Sequence, residues 1–179
     1  MAKILLTGGA GYLGSTLCQH LLKLNHQVVV LDNFMFGQNS LAHLCNDPNL
    51  DIVNGDVRSN DLVKKLVKTS DIIIPLAALV GAPLCAKDPV GATSTNRDAI
   101  FMMLEMLGKE QIVLMPTTNS AYGSGDKNNY CTEESPLNPI SLYAKEKVEV
   151  EEKLLEHPNA VSFRLATVFG MSPRMRIDL

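Results

Sequence analysis

Two side chains that can move a proton lie four residues apart in the second half of the chain. Tyr143 and Lys147 fall in a helical pattern over residues 141–156, and this spacing places both on one face of a helix. Val150 and Leu154 continue that face, so the lysine lies on an inward-pointing stripe. An ammonium held near a phenol stabilises the phenolate and lowers the pKa of the tyrosine. The spacing therefore predicts that Tyr143 can act as an acid or base near neutral pH.

A hydroxyl group that could act on the same substrate comes earlier. The apolar run Gln111 to Met115 predicts a strand, and Thr118 follows it. Thr118 could donate a hydrogen bond to the substrate oxygen or accept one from it. Residues 116–140 predict no regular element, and loops of this length are often functional. Tyr-x-x-x-Lys also occurs by chance in many helices. The pair therefore indicates a function only in combination with the strands and the turn that precede it in the chain.

A glycine-rich turn near residue 8 is suited to holding a phosphate. The apolar run ending at Leu6 leads into T-G-G-A-G-Y-L-G at Thr7 to Gly14, and a helical pattern follows. Gly8, Gly11 and Gly14 are spaced three apart and allow a tight turn, close approach of a ligand and close packing of the helix on the strand. The N–H groups of the first helical turn then favour a pyrophosphate. The residues predicted to contact it are Gly8, Gly11, Tyr12 and Leu13.

A carboxylate after the second predicted strand suits the ribose end of such a ligand. Gln27 to Leu31 is a β-branched run of the kind buried in parallel sheets, and Asp32 follows it. The spacing from the glycine turn matches the acidic residue that binds the adenosine ribose, with Asn33 beside it, and an ordinary turn aspartate is the alternative. Because no Arg or Lys follows to pair with a 2′-phosphate, NAD is predicted in preference to NADP.

Two further strand ends are predicted to line the cofactor. Gly55-Asp56-Val57-Arg58 follows the third strand, and Asp56 either meets the adenine amino group or serves as a loop or capping carboxylate. The fourth strand, 71–76, ends in Leu76-Ala77-Ala78, where small side chains let a cofactor pass. Pro75 must lie where its missing N–H faces no neighbour.

A polar residue lies on the inward stripe of a helix predicted over 88–107. Asn96 needs hydrogen-bond partners if it is buried. It either bonds neighbouring backbone or helps to position the lysine through water. It is included among the cofactor-binding residues.

Strands that alternate with helices predict an α/β fold with a doubly wound parallel sheet of the Rossmann type. The 179 residues, 46% of them hydrophobic, suffice for one core. A net charge of −3 without a basic cluster favours neither a nucleic-acid nor a membrane partner. With no signal peptide and no apolar run of membrane-spanning length, a cytoplasmic protein is predicted. The scattered cysteines predict reduced thiols and no metal site.

Together these residues resemble the extended short-chain dehydrogenase/reductases, in particular the NAD-dependent nucleotide-sugar epimerase/dehydratase group, over essentially the whole chain. The most specific stretch is E-E-S-P-L-N-P-I-S-L-Y at Glu133 to Tyr143, followed by Lys147, although Ala144 replaces the usual glycine. Segment 117–123 is similar to the one that carries the family's catalytic Ser or Thr, which makes Thr118 the match. The glycine turn, Gly55 to Arg58, Leu76 to Ala78, Asn96 and Arg164 to Gly170 also match family positions.

The resemblance implies hydride chemistry on a nucleotide sugar. Tyr143 as phenolate would remove a sugar hydroxyl proton while NAD takes a hydride from the same carbon, with Lys147 holding the nicotinamide ribose and Thr118 the substrate oxygen. Thr167 is implied as a further substrate contact. Epimerases return the hydride to the opposite face of a keto intermediate. Family dehydratases carry an acidic pair just after the catalytic Thr, where this chain has Asn119 and Ser120, so epimerisation or simple oxidation and reduction is predicted ahead of dehydration.

Family members continue into a smaller domain that grips the nucleotide and sugar. Residues 1–170 are therefore predicted to form the NAD-binding Rossmann domain and 171–179 the start of a substrate domain that is largely absent, so the isolated chain can be inactive. Arg174 and Arg176 either approach a diphosphate or are surface arginines. A nucleotide sugar is the implied partner, and a homodimer is compatible. A non-catalytic NAD-binding module is the competing hypothesis, against which the intact Thr118, Tyr143 and Lys147 argue.

Overall fold

A computed structural model describes residues 1–124 and 130–175. Its strands form one parallel sheet in the order β3-β2-β1-β4-β5-β6, which is the doubly wound order with its switch point between β1 and β4. The strands are β1 (Lys3–Thr7), β2 (Gln27–Asp32), β3 (Leu50–Asn54), β4 (Ile72–Pro75), β5 (Ile112–Thr118) and β6 (Ala160–Leu165). The helices are α1 (Tyr12–Lys23), α2 (Asn60–Lys68), α3 (Ala82–Lys87), α4 (Pro89–Thr93), α5 (Ala99–Glu105) and α6 (Leu142–Leu154). The predicted fold class is confirmed.

Successive residues of the central strands face opposite layers of helices. Ile4 and Leu6 of β1 share a buried cluster with Cys18 of α1. Leu5, between them, belongs to a second cluster with Val63 of α2. Because side chains alternate along a strand, a strand covered on both faces needs apolar residues at every position. The continuous apolar runs of β1 and β2 thus reflect burial on both sides.

Pro75 lies where the ladder does not need its N–H. It pairs with Thr7 of β1, and the next residue, Leu76, donates its N–H to the Thr7 carbonyl at 3.0 Å. Backbone N–H groups alternate in direction along a strand, so the Pro75 nitrogen points to the opposite side, toward β5. The pairing of β4 with β5 ends at Ile73. The expectation that Pro75 faces no neighbour there is confirmed.

The helix predicted over 88–107 is present but interrupted. α4 and α5 are joined through a π-helical turn, Ser94–Asp98, and α5 ends at Glu105. A π turn inserts an extra residue into the helical ladder and is common at functional positions. Asn96 lies in this turn and is fully buried. Periodicity alone does not reveal the interruption, nor the six-residue helix α3 that precedes it.

The segment predicted as a loop over 116–140 begins with regular structure. β5 continues to Thr118 because β6 pairs with it as far as Leu165, and a 3-10 turn, Asn119–Tyr122, follows. Residues 125–129 of the predicted loop lie outside the described part of the chain. Within the described part, none of the helices combines the length and apolar character needed to cross a membrane.

Candidate active site at the carboxyl edge of the sheet

The glycine turn joins β1 to α1 at the carboxyl edge of the sheet. Gly8 has a left-handed φ of +68°, and its carbonyl accepts the Gly11 N–H at 3.0 Å. A Cβ on Gly14 would lie 2.4 Å from the Gly8 carbonyl oxygen, so the turn closes tightly only without side chains. Among the residues that the structure describes, no side chain caps α1 and no acidic residue occupies its first turn. The N–H groups at the start of α1 are therefore suited to a phosphate.

Gly8→Ala is expected to lower the free energy of unfolding by about 2 kcal/mol, because the added Cβ adds a clash to an unfavourable φ. That Cβ would lie 2.6 Å from the Ala77 nitrogen, so β1 and β4 must separate. Gly37→Ala is a matched control, since Gly37 also has a positive φ, +60°, but an added Cβ there meets nothing within 4 Å. The control should cost only about 1 kcal/mol. Urea unfolding at pH 7 measures both, and equal losses would contradict the clash.

Asp32 ends β2 beside the glycine turn and is 8% exposed. One carboxylate oxygen accepts the Ala10 N–H at 3.0 Å, and the other accepts the Phe34 N–H at 2.9 Å. These backbone bonds fix the orientation of the carboxylate. Oδ1 also accepts from the Gln38 amide at 3.3 Å, so Oδ2, which accepts from Ala10, retains capacity for a further donor. Asn33 is exposed and its side chain accepts the Met35 N–H at 3.2 Å. The geometry suits Asp32 for ribose hydroxyls.

Asp56 and Val57 follow β3 but present different groups. The Asp56 carboxylate pairs with the Arg58 guanidinium, with 2.6 Å between Oδ2 and Nη2, and hydrogen bonding from Arg58 lowers the pKa of Asp56. The Val57 side chain is 6% exposed and packs in the core with Val29 and Leu31. Only its backbone is therefore available to a cofactor.

The end of β4 lies next to the glycine turn, as the prediction for Leu76, Ala77 and Ala78 requires. The Ala77 N–H is 3.3 Å from the Thr7 hydroxyl oxygen. Asn96 reaches the same segment from the π turn: its amide oxygen accepts the Leu79 N–H at 2.8 Å, and its amide nitrogen donates to the Leu79 carbonyl at 3.1 Å. The predicted bonding of Asn96 to backbone is confirmed. Since Asn96 is fully buried, an influence on a cofactor would pass through this backbone.

Tyr143 and Lys147 lie on α6, as the helical pattern predicts. The Ser141 hydroxyl accepts the Ala144 N–H at 3.2 Å and caps the helix. The Lys147 nitrogen is 6.0 Å from the centre of the Tyr143 ring, close enough to act on it electrostatically. Lys147 is 5% exposed, and burial lowers its pKa from 10.5 to about 8, against an upward effect of the Glu146 and Cys85 charges.

Thr118 lies at the carboxyl end of β5, next to α6. It is 7% exposed, and its hydroxyl oxygen accepts the Ser120 N–H at 3.1 Å. α6 contacts both β5 and the 3-10 turn. Thr167 is exposed two residues beyond β6. Thr118 is thus near the Tyr143 helix, while Thr167 has no described bond to the site.

A buried carboxylate lies beside Lys147 that the sequence pattern does not indicate. Glu146 is 1% exposed and accepts hydrogen bonds from the Thr93 hydroxyl at 2.6 Å and the Asn96 amide at 3.3 Å. The Cys85 thiol is also buried there, and Asn96 lies 3.6 Å from its sulfur. A glutamate in a lysine-rich helical stretch is typical of a solvated surface, so only the π turn packed against it reveals its burial.

A second buried carboxylate fixes the later part of α6 to the sheet. Glu151 accepts hydrogen bonds from the Thr117 hydroxyl at 2.9 Å, the Ser162 hydroxyl at 2.8 Å and the Arg164 Nε at 2.8 Å. Burial opposes ionisation of Glu151, yet these bonds hold its pKa below the usual value. The Arg164 guanidinium also lies 5.2 Å from the centre of the Tyr122 ring. β5 and β6 are thereby bonded to the helix that carries Tyr143 and Lys147.

The chain after β6 returns to the glycine turn. The Tyr12 hydroxyl donates to the Gly170 carbonyl at 2.7 Å, and the Ser172 hydroxyl donates to the Tyr12 carbonyl at 2.6 Å. The Arg174 guanidinium stacks 4.8 Å from the centre of the Phe36 ring. Arg176, for which a diphosphate contact and a surface position were the two alternatives, lies outside the described residues. Nothing in the local sequence of either segment indicates this contact.

The sheet order, the glycine turn and the buried lysine beside Tyr143 define a dinucleotide-binding protein of the doubly wound α/β class. Residues 4–178 match the model of the NAD dependent epimerase/dehydratase family. The chain belongs to this family, and NAD is the cofactor in the family's description. The family resemblance inferred from the sequence is confirmed.

Individual relatives agree with this assignment. A putative UDP-glucose 4-epimerase of Methanocaldococcus jannaschii is 32% identical over 93% of this chain and 56% of its own length. Bacillus cereus UDP-glucuronic acid 4-epimerase, solved with UDP-glucuronic acid and NAD, superposes with a TM-score of 0.81 at 27% identity, over 97% of this chain and 60% of that one. WbmG of Bordetella bronchiseptica, solved with NAD and UDP, gives a TM-score of 0.82 at 28% identity, over 94% and 54%. The chain spans about half the length of the curated relatives it matches.

Proposed function

We propose that this chain forms the NAD-binding and proton-transfer part of an epimerase that acts on a nucleotide sugar through a keto intermediate. The observation that carries the proposal is the Tyr143–Lys147 pair, 6.0 Å apart, on a helix that packs against the carboxyl end of β5. That end of the sheet also holds the glycine turn and Asp32. Relatives that bind NAD and a UDP-sugar support this assignment.

The residues suited to hold NAD lie along the strand ends. The N–H groups of Tyr12 and Leu13 at the start of α1 suit the pyrophosphate, Asp32 suits the adenosine ribose, and Leu76 to Ala78 form the border between β1 and β4. Asp56 and Asn33 are further contacts in this proposal. NAD, when bound, supplies a hydride acceptor and donor.

The chain's own residues would handle the proton and the substrate oxygen. Tyr143 takes the proton of the sugar hydroxyl and returns it after the carbon is inverted. Lys147 stabilises the phenolate and holds the nicotinamide ribose. Thr118 hydrogen-bonds the substrate oxygen, and Thr167 is a further substrate contact. In the same proposal, residues 1–170 form the cofactor domain and 171–179 lead toward a substrate domain.

Dehydration is the second candidate within the family, and the residues after Thr118 argue against it. Asn119 and Ser120 are exposed in the 3-10 turn and are not carboxylates. A carboxylic acid and a carboxylate are the pair that could donate one proton and remove another during loss of water. Neither side chain here has a comparable acidity. Beside the hydride that NAD accepts and returns, epimerisation needs one acid–base group, and Tyr143 supplies it in this proposal.

The proposal is tested by mixing a form of the protein that includes this chain and a substrate domain with NAD and a set of UDP-sugars, and following the sugar protons by NMR. Interconversion of C4 epimers is the expected result. Loss of water to a keto-deoxy sugar would favour the dehydratase instead. Calorimetric titration with NAD and NADP in parallel reports cofactor choice, and binding of NAD without turnover of any sugar would support a non-catalytic module.

A further inference from the structure

The buried carboxylate of Glu146 accepts hydrogen bonds from side chains outside its own helix. Both oxygens are engaged, one by the Thr93 hydroxyl at 2.6 Å and the other by the Asn96 amide at 3.3 Å. Glu146 is 1% exposed and precedes Lys147 directly. Burying a charged carboxylate is costly unless hydrogen bonds and an opposite charge compensate it.

Glu146 also connects α6 to the strand end that borders the predicted cofactor site. The Asn96 amide nitrogen that donates to Glu146 is 3.1 Å from the Leu79 carbonyl oxygen, and the amide oxygen of Asn96 accepts the Leu79 N–H. Leu79 follows Ala77 and Ala78 directly. A continuous chain of bonds therefore runs from the helix that carries the proton-transfer pair to the end of β4.

The opposite charge is the ammonium of Lys147, which is itself buried. The titratable groups that act on it are Tyr143 and Glu146 from α6 and Cys85 from α3. Of these, Glu146 is the carboxylate. Two consecutive helix residues point about 100° apart, so their charges interact through a low-dielectric interior without a direct bond.

We propose that Glu146 is a positioning residue for Lys147: its carboxylate, fixed by Thr93 and Asn96, holds α6 against the end of β4 and balances the buried ammonium. Glu146 and Lys147 would then form a unit with the end of α4 and the π turn, which supply the donors Thr93 and Asn96. The effect of Glu146 on the reaction rests on the proposed function, in which a protonated Lys147 stabilises the Tyr143 phenolate.

The decisive measurement is the titration of Lys147 in the chain labelled with 13C-lysine, with its signal assigned by its disappearance in Lys147→Met. In the unaltered chain the pKa of Lys147 is expected at about 8. Glu146→Gln removes the negative charge and should lower the midpoint by roughly one unit. Glu152→Gln is the matched control, because it makes the same change at an exposed position of the same helix, and it should leave the midpoint in place.

A second pair of variants tests the anchoring and applies even if Glu146→Gln does not fold. Thr93→Val removes the donor to Glu146 and should lower the Lys147 midpoint and shift the Leu79 amide resonance, whereas Thr93→Ser should restore both. A Lys147 midpoint that is the same in the unaltered chain, Thr93→Val and every folded Glu146 variant would overturn the proposal. The Lys147 titration uses neither cofactor nor sugar. A failure of NAD binding or of sugar turnover would therefore contradict the proposed function without changing the outcome of this titration.

Discussion

Tyr143→Phe is expected to lower kcat for sugar epimerisation by two to four orders of magnitude, about what the loss of a positioned general acid or base costs. Phenylalanine retains the ring but has no ionisable group. The sugar hydroxyl would then lose its proton only to water. Thr118 and Lys147 remain in place and can still bind the substrate oxygen and the cofactor, so the loss should fall on kcat more than on KM.

The measurement compares kcat and KM for a UDP-sugar in a form of the protein that includes this chain and is active. NAD affinity, determined by calorimetry on the same variant, should change by less than about threefold, because the phenol acts on the sugar in the proposed reaction. Tyr130→Phe is the matched control, since Tyr130 is 99% exposed. A Tyr143→Phe variant that retains most of its turnover would contradict the assigned role.

Lys147→Met is expected to remove a pH dependence of the unfolding free energy of roughly 3 kcal/mol between pH 7 and pH 10.5, while abolishing turnover. Burial shifts the pKa of Lys147 from 10.5 to about 8. At pH 7 the folded chain must keep a buried ammonium that the unfolded chain keeps in water. Methionine is close in length and carries no charge, so it behaves as the neutral lysine does.

The depressed pKa of Lys147 fixes the direction in which the unfolding free energy changes with pH. A depressed lysine pKa means that the unfolded chain binds more protons than the folded chain between pH 8 and 10.5. Stability contributed by this group therefore rises with pH across that window, and the cost is fully present below it. The difference in unfolding free energy between the unaltered chain and Lys147→Met should be constant below pH 7 and should move by roughly 3 kcal/mol in favour of the unaltered chain as the pH rises to 10.5.

Urea unfolding at several pH values measures this difference, with Lys145→Met as the control because Lys145 is exposed on the same helix. The control should change stability by less than about 0.5 kcal/mol at every pH. A stability difference between the two chains that stays the same from pH 7 to pH 10.5 would contradict the depressed pKa of Lys147.

Much of the fold and half of the site follow from local residue patterns. Apolar runs without polar alternation specify strands buried on both faces, and the spacing of Tyr143 and Lys147 specifies a shared helix face. The turn at Gly8 follows from the steric needs of a strand that must reverse into a helix. Each of these depends on residues within a few positions of one another, so the chain order alone is sufficient to predict it.

Tertiary structure decided which polar groups are buried and with whom. Glu146 is joined to Thr93 and Asn96, which are 53 and 50 residues away, and Tyr12 is joined to Gly170 across 158. A carboxylate in a helix has the same sequence signature whether it meets water or a buried hydroxyl, because helical periodicity records only its own neighbours. Its energetic role depends on which distant donors the folded chain brings to it. The sequence thus determined the sheet, the glycine turn and the shared helix face of Tyr143 and Lys147, while packing between distant elements decided the electrostatic environment of these two side chains.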